Sequence, residues 1–318
     1  MTKFNVLVTG CAGYIGTTLC ASLLKQGHTV IGVDNLMFGG YQKAALLPLL
    51  CDHNFHFYQH DVRDDMAMNF IASKVDVVIP LAAWVGAPMC ARDPIQATEV
   101  NWGAVDSLVR SLSKEQRVIF PNTNSGYGET DGSRFCTEED PLNPISIYGI
   151  SKCDAEKSVL DHPNSVVFRL ATVFGGSPRM RFDLMVNDFA EKLYRTGKLE
   201  VFDPDFKRNF VGVKDVARAF IYAMCNHELN GVYNLGYPAA NLTKIELAHK
   251  IACELNLSRE SVTVGSGHDP DRRNYLVSNK KILDEGFEFK HTLEQGIKEV
   301  ENICWVFKDN ETRCMRNV

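Results

Sequence analysis

The chain has 318 residues, a formal charge of −5 and a 45% hydrophobic content, with no apolar run long enough to cross a bilayer. The acidic balance argues against a nucleic-acid partner, although a local basic patch can still hold an anionic ligand. Ten cysteines without a Cys-x-x-Cys pair or zinc-ligand spacing argue against a disulfide framework and for reduced thiols in a soluble cytoplasmic protein.

The apolar opening Phe4-Asn5-Val6-Leu7-Val8 is too short for a signal peptide. Phe4 to Thr9 instead reads as a strand, followed by Gly10-Cys11-Ala12-Gly13-Tyr14-Ile15-Gly16 and an amphipathic helix to about Gln26. Strand, glycine turn and helix in that order aim backbone N–H groups and a helix N-terminus at a pyrophosphate. The spacing is Gly-x-x-Gly-x-x-Gly rather than Gly-x-Gly-x-x-Gly. Gly10, Gly13, Tyr14, Ile15 and Gly16 are the candidate cradle. Thr29 to Val33 is the next strand and ends in Asp34-Asn35. An acid about 20 residues past the glycines is placed for adenosine ribose hydroxyls and repels a 2′-phosphate, which selects NAD over NADP.

Phe55 to His60 alternates as a third strand, and the Asp61-Val62 that follows is placed for the adenine. His53, His56 and His60 fit neither one helical face nor one strand face, so no metal site is expected. Val75 to Pro80 is the fourth strand, leading to Leu81-Ala82-Ala83, where small side chains admit a cofactor closely. A long loop, Trp84 to Pro94, precedes a helical segment with Asn101. Gln116 to Pro121 is the fifth strand, with Asn122-Thr123-Asn124-Ser125-Gly126-Tyr127-Gly128 at its carboxyl end. Ligands of doubly wound sheets sit at that edge, though hydroxyls there also form simple turns.

A loop from Glu129 to Ile147 delivers Tyr148-Gly149-Ile150-Ser151-Lys152. On a helix, residues four apart share a face, so the Lys152 ammonium is expected beside the Tyr148 phenol. A free phenol titrates near ~10, and an adjacent cation lowers it by about 1–3 units. Tyr148 is thus a candidate general base for an alcohol proton. Ser165 to Thr172 is a sixth strand containing Arg169. The alternation predicts an α/β fold, a doubly wound parallel sheet (Rossmann) with a smaller C-terminal α/β substrate domain. Residues 1–175 form the dinucleotide domain, with 207–236 returning to it, and 176–318 mainly bind substrate. Arg179, Arg181, Lys207, Arg208, Arg272 and Arg273 gather in the second half of an acidic chain. Guanidinium forks suit phosphate oxygens, although any one of them can pair with a neighbouring acid instead. Glu294 to Phe307 reads as a closing helix, and the polar tail from Lys308 is expected to fray.

Together these segments resemble the extended short-chain dehydrogenase/reductases of the nucleotide-sugar epimerase/dehydratase family, over nearly the whole chain. The resemblance rests on the glycine loop, Asp34, Asp61-Val62, Leu81-Ala82-Ala83, Thr123 with Tyr127-Gly128, and Tyr148-x-x-x-Lys152. Arg208-Asn209-Phe210-Val211 with Asp215, and Arg272-Arg273-Asn274-Tyr275, extend it. It implies NAD, a nucleotide-diphosphate-sugar substrate and a homodimer packed through helices around Asn101–Leu112 and Tyr148–Leu160. It further implies Tyr148 as base, Lys152 as its partner and a ribose ligand, and Thr123 as donor to the reacting sugar oxygen. Asn101 would serve the cofactor. Arg208 with Arg272 or Arg273 would hold the diphosphate, and Asn124, Ser125, Thr172, Arg179 and Arg181 would face the substrate.

Departures from the family pattern narrow the chemistry. Sugar 4,6-dehydratases carry Asp-Glu after the catalytic Thr, where this chain has Asn124 and Ser125, neither an acid/base group near neutral pH. Thr172 stands where the family usually has Asn. The strings Pro121–Gly128, Arg169–Gly175 and Pro178–Arg181 resemble those of GDP-heptose 4-dehydrogenases of bacterial capsule synthesis. The expected reaction is therefore C4 oxidation, with a 4-epimerase as the alternative. A non-catalytic dinucleotide sensor would need the glycine loop but not Thr123, Tyr148 and Lys152.

Overall fold

Val6-Leu7-Val8, Val77-Val78-Ile79 and Val118-Ile119-Phe120 are unbroken apolar runs, the mark of strands covered on both faces. In the computed structural model, which describes residues 2–130, 132–267 and 273–317, these runs are central strands of one parallel sheet. Its seven strands are β1 (Asn5–Thr9), β2 (Thr29–Val33), β3 (Phe55–Tyr58), β4 (Val77–Pro80), β5 (Arg117–Thr123), β6 (Ser165–Leu170) and β7 (Gly231–Leu235). They lie in the order β7-β6-β5-β4-β1-β2-β3. Successive side chains point to opposite faces. Val8, Ile79, Ile119 and Phe168 pack under the helices Tyr14–Lys25 and Val213–Cys225. Leu7 and Val78 face Asp65–Ala72, while Phe120 and Val167 face Ala104–Arg110 and Ile147–Leu160. Strand order reverses between β1 and β4, and the loops after those strands open the crevice where doubly wound sheets bind ligands.

The expected sixth strand, Ser165 to Thr172, is broken at Ala171. Ala171 N–H still bonds Leu235 O (2.9 Å), but Thr172–Phe174 then pairs with Lys207–Gly212 in a separate sheet. Asn241–Thr243 closes that sheet antiparallel. The chain thus leaves the large sheet at the crevice, and Val213–Cys225 and β7 bring it back. Helix Leu293–Val306 starts with a reciprocal cap between Thr292 and Gln295. The segment from Lys308 is not frayed. It forms Asp309–Thr312 and a turn at Arg313–Met315, and Met315 is buried with its carbonyl accepting from Phe182 N–H (3.0 Å). Its polar residues look solvent-bound in sequence, yet Arg316 is spent on Asp188 and Glu191. The expected loop Trp84 to Pro94 likewise contains a short helix, Ala87–Arg92. No helix among the described residues is long and apolar enough to cross a membrane.

Candidate active site

The glycine loop brings three backbones together. Gly10 has φ +67°, and a Cβ there would stand 2.7 Å from Ala82 N. A Cβ on Gly16 would stand 2.1 Å from the Gly10 carbonyl oxygen. Only glycines let β1, β4 and the following helix converge. That helix starts at Gly13 with no side-chain cap and no acid in its first turn, so its leading N–H groups remain for an anion. The Tyr14 phenol is not available to a ligand, because it donates to Gly175 O (2.6 Å) and accepts from Asn187 (3.3 Å).

Asp34, at the end of β2, is buried and accepts from Ala12 N (3.1 Å), Leu36 N (2.9 Å) and Gln42 Nε2 (3.3 Å). Burial raises its pKa, and these hydrogen bonds and the Arg179 charge pull it back. After the neighbouring strand β3, hydrogen bonds from Arg63 hold Asp61 down at about 2, and Asn35 Nδ2 donates to Asp61 (3.4 Å). Arg179 departs from its expected place on the substrate side. Its guanidinium lies over Phe38 at 5.0 Å and acts on Asp34. One nitrogen donates to Met180 O (3.1 Å), while Nε and Nη2 are buried without partners. The glycine cradle, the uncapped first turn and these orphaned donors together fit the phosphates of a dinucleotide.

Opposite the cradle, Ser146 caps the helix Ile147–Leu160 by accepting from Gly149 N (3.2 Å). Tyr148 and Lys152 face a cavity of about 850 Å³ that also takes in the glycine loop, Asp34, Asn35, Asp61, Val62 and Leu81-Ala82-Ala83. Burial pushes the half-buried Tyr148 phenol up to about 12, against the charges of Arg181 and Arg273 and a hydrogen bond with Thr123. Burial also pushes Lys152 down to about 7, and its ammonium lies 3.8 Å from the centre of the Phe120 ring. The expectation that Lys152 depresses the phenol is not met here. The charges that lower the phenol are those of Arg181, first, and Arg273, while desolvation is the largest influence on both the phenol and the ammonium.

Thr123 Oγ1 donates to Ser125 Oγ (2.9 Å) and accepts from Ser125 N (3.1 Å), and Arg273 reaches the same Ser125 hydroxyl. Thr172, Arg181 and Arg208 share this wall, with Arg181 paired to Asp183 (2.5 Å) and Arg208 over the Tyr275 ring at 5.4 Å. Two expected site residues are not on the wall. Asn101 is fully buried and holds Trp84 by both its N–H (2.8 Å) and its carbonyl (3.0 Å), as well as Ser151 (3.2 Å). Asn124 is buried with its amide unpartnered and does not line the cavity. Arg272 lies outside the described residues. Sequence reasoning missed Glu156, which pairs with Arg169 (2.6 Å) and Asn122 and so locks the Tyr148 helix to β5 and β6. Its position eight residues after Tyr148 on one helical face was the available signal.

Such a cradle, facing a Tyr–Lys pair across one cavity, defines a dinucleotide-binding enzyme of the doubly wound class. The chain belongs to the NAD dependent epimerase/dehydratase family, whose profile matches residues 6–236. It is 26% identical over 307 residues to the low-salt glycan biosynthesis protein Agl12 of Haloferax volcanii, covering 92% of this chain and 96% of the relative. The crystal structure of UDP-glucose 4-epimerase with UDP-glucose from Thermotoga maritima superposes with a TM-score of 0.82 at 28% identity, covering 96% of this chain and 100% of that one. The Thermus thermophilus UDP-glucose 4-epimerase in complex with NAD gives 0.78 at 25% identity, covering 94% and 98%. The chain is therefore an enzyme of this family, and the cofactor expected from the glycine loop and Asp34 is the one in the family's name.

Proposed function

We propose that the enzyme oxidises C4 of a nucleotide-diphosphate sugar, and that the sugar is of the GDP-heptose type used in surface polysaccharides. The observation that carries this reading is the shared cavity, with Tyr148, Lys152 and Thr123 facing the glycine cradle across it. NAD, when bound, accepts the hydride from the sugar carbon. The protein's own contributions are positional and electrostatic. Gly10, Gly13, Tyr14, Ile15 and Gly16 offer backbone to the dinucleotide phosphates, Arg179 its orphaned nitrogens, and Asp34 its carboxylate to the ribose. Asn35, Asp61, Val62 and the Leu81–Ala83 backbone flank the adenosine end. Lys152 holds a ribose hydroxyl. Thr123 donates to the sugar oxygen, and Tyr148 removes its proton. Arg181, Arg208 and Arg273 neutralise the substrate diphosphate, with Arg272 and Thr172 as further contacts. The setting of such chemistry is the cytoplasm.

A 4-epimerase is the second reading, favoured by the end-to-end likeness to the Thermotoga epimerase. The same proton removal begins both reactions, and they part only in whether the hydride returns. Dehydration has no support from the site. Asn124 lies off the cavity and Ser125 is engaged by Thr123 and Arg273. We also propose a homodimer through Trp102, Ile150 and Leu160, which are 40%, 44% and 39% exposed on adjoining helices. A monomer mass at all concentrations in sedimentation would exclude it.

The test is incubation with UDP-, GDP- and CDP-sugars, GDP-heptose among them, while NADH is followed and the product identified. Accumulating NADH with a keto-sugar supports the dehydrogenase. A diastereomeric sugar without net NADH establishes the epimerase instead. No turnover of any sugar nucleotide would overturn both readings.

A further inference from the structure

The segment that follows the closing helix reaches the catalytic cavity. Met315 is anchored in the core, and the chain then runs along helix Met185–Thr196, where Arg316 reaches Asp188 (3.0 Å) and Glu191 (2.5 Å). Asn317 N–H donates to Asp183 Oδ1 (3.3 Å), and the Asn317 residue lines the cavity. Its Oδ1 is buried without a hydrogen-bond partner. A buried carboxamide oxygen left unpaired is costly, and a ligand group that satisfied it would relieve that cost.

We propose that Asn317 is a ligand-contacting, specificity-determining residue whose carboxamide engages a hydroxyl of a bound glycosyl or ribosyl group. Three features argue for a neutral hydroxylated ligand rather than a charged one. The acids beside Asn317 are already neutralised, Asp183 by Arg181 and Asp188 by Arg316. A hydroxyl both donates and accepts, so it suits the amide in either orientation. The backbone leading into Asn317 is fixed by the Met315 carbonyl on Phe182, the Asn317 N–H on Asp183 and the Arg316 pairs, so little chain entropy is lost when a ligand engages the amide. Asn317 is also coupled to the chemistry. It touches Asp183, Asp183 holds Arg181, and the Arg181 charge acts on Tyr148.

The glycosyl case rests on the proposed function, whereas the ribosyl case rests only on dinucleotide binding, and two titrations separate them. Calorimetry with NAD alone, and with UDP-glucose, GDP-mannose or GDP-heptose on the NAD-loaded enzyme, would be run on the wild type, Asn317→Ala and Arg316→Met. Asn317→Ala should weaken one of the two ligands by about 3–10-fold, the loss of a single neutral hydrogen bond, and leave the thermal melt unchanged. Arg316→Met, which frees the backbone but keeps the amide, should weaken the same ligand. Loss confined to the sugar nucleotide identifies the glycosyl partner, and loss confined to NAD the ribosyl one. Unchanged affinity for both ligands in Asn317→Ala would overturn the proposal. A wild type that binds NAD but no sugar nucleotide would instead count against the proposed function, and the NAD titration would still decide the role of Asn317.

Discussion

The glycine-loop wall of the cavity is made of backbone, and the wall opposite it is made of side chains tied in pairs. On the first, Gly10, Gly16 and Ala82 approach too closely for any added carbon, and Asp34 is held by two backbone N–H groups and Gln42. On the second, Arg181 with Asp183, Arg273 with Ser125, and Arg316 with Asp188 set the surface. These pairs join stretches as distant as 148 residues. A backbone wall has one shape and suits a cofactor of fixed form. A wall of long side chains can change partners without refolding the sheet beneath it, and so is the natural place for substrate selectivity to be set.

Tyr148 faces the glycine cradle across the cavity, and its removal should have the largest effect. Tyr148→Phe keeps the ring that packs there and deletes the proposed proton acceptor. Turnover should fall by about 10²–10⁴-fold, the range for a lost general base, with NAD affinity retained. Steady-state rates beside an NAD titration give both numbers, and a loss below tenfold would take Tyr148 out of the proton transfer. Gly16→Ala tests the backbone wall directly. Its Cβ would meet the Gly10 carbonyl at 2.1 Å, so the loop must open at a cost of about 1–3 kcal/mol. NAD affinity should drop roughly 5–140-fold, since ~1.4 kcal/mol is tenfold. If NAD binds Gly16→Ala as tightly as the wild type, the cradle is not the cofactor site.

What the sequence revealed follows the same division. β1 with its glycine turn, Asp34 after β2, and Tyr148 with Lys152 are each written within a short run by residue type and spacing, and each lies where that run implies. The parallel sheet was legible because its strands are apolar on both faces. What was hidden depends on partners far along the chain. The exit from the sheet at Ala171 is set by pairing with Lys207–Gly212. The order of the segment after Lys308 is set by Asp188, Glu191 and Phe182. Asn101 carries a polar side chain like any ligand residue, and nothing local tells that Trp84 consumes it. Spacing shows Lys152 as the helix neighbour of Tyr148, but not the burial of the pair or the Arg181 and Arg273 charges that act on the phenol.

Lys152 sharpens the contrast between the walls, because it is a cation on the sheet side that has neither hydrogen bond nor ion pair among the described residues, only the Phe120 ring. Folding lowers its pKa from 10.5 to about 7, so the native protein disfavours the charged form. Below about pH 7 the folded enzyme carries the full cost of a buried ammonium. Between about 7 and 10.5 the unfolded chain holds the proton more tightly than the native one, so stability rises with pH across that window. Lys152→Met removes the charge and keeps most of the volume. In the ligand-free protein it should therefore raise the melting temperature by a few degrees at pH 6 and by less at pH 9, a difference of about 1–3 kcal/mol in the gain. A bound ligand bearing phosphates should shrink the gain by favouring the ammonium. Melting curves at the two pH values, with and without NAD, measure all of this. An equal gain at both pH values would mean that Lys152 is not held with a depressed pKa, and its charge would then be available to the phenol even before a ligand binds.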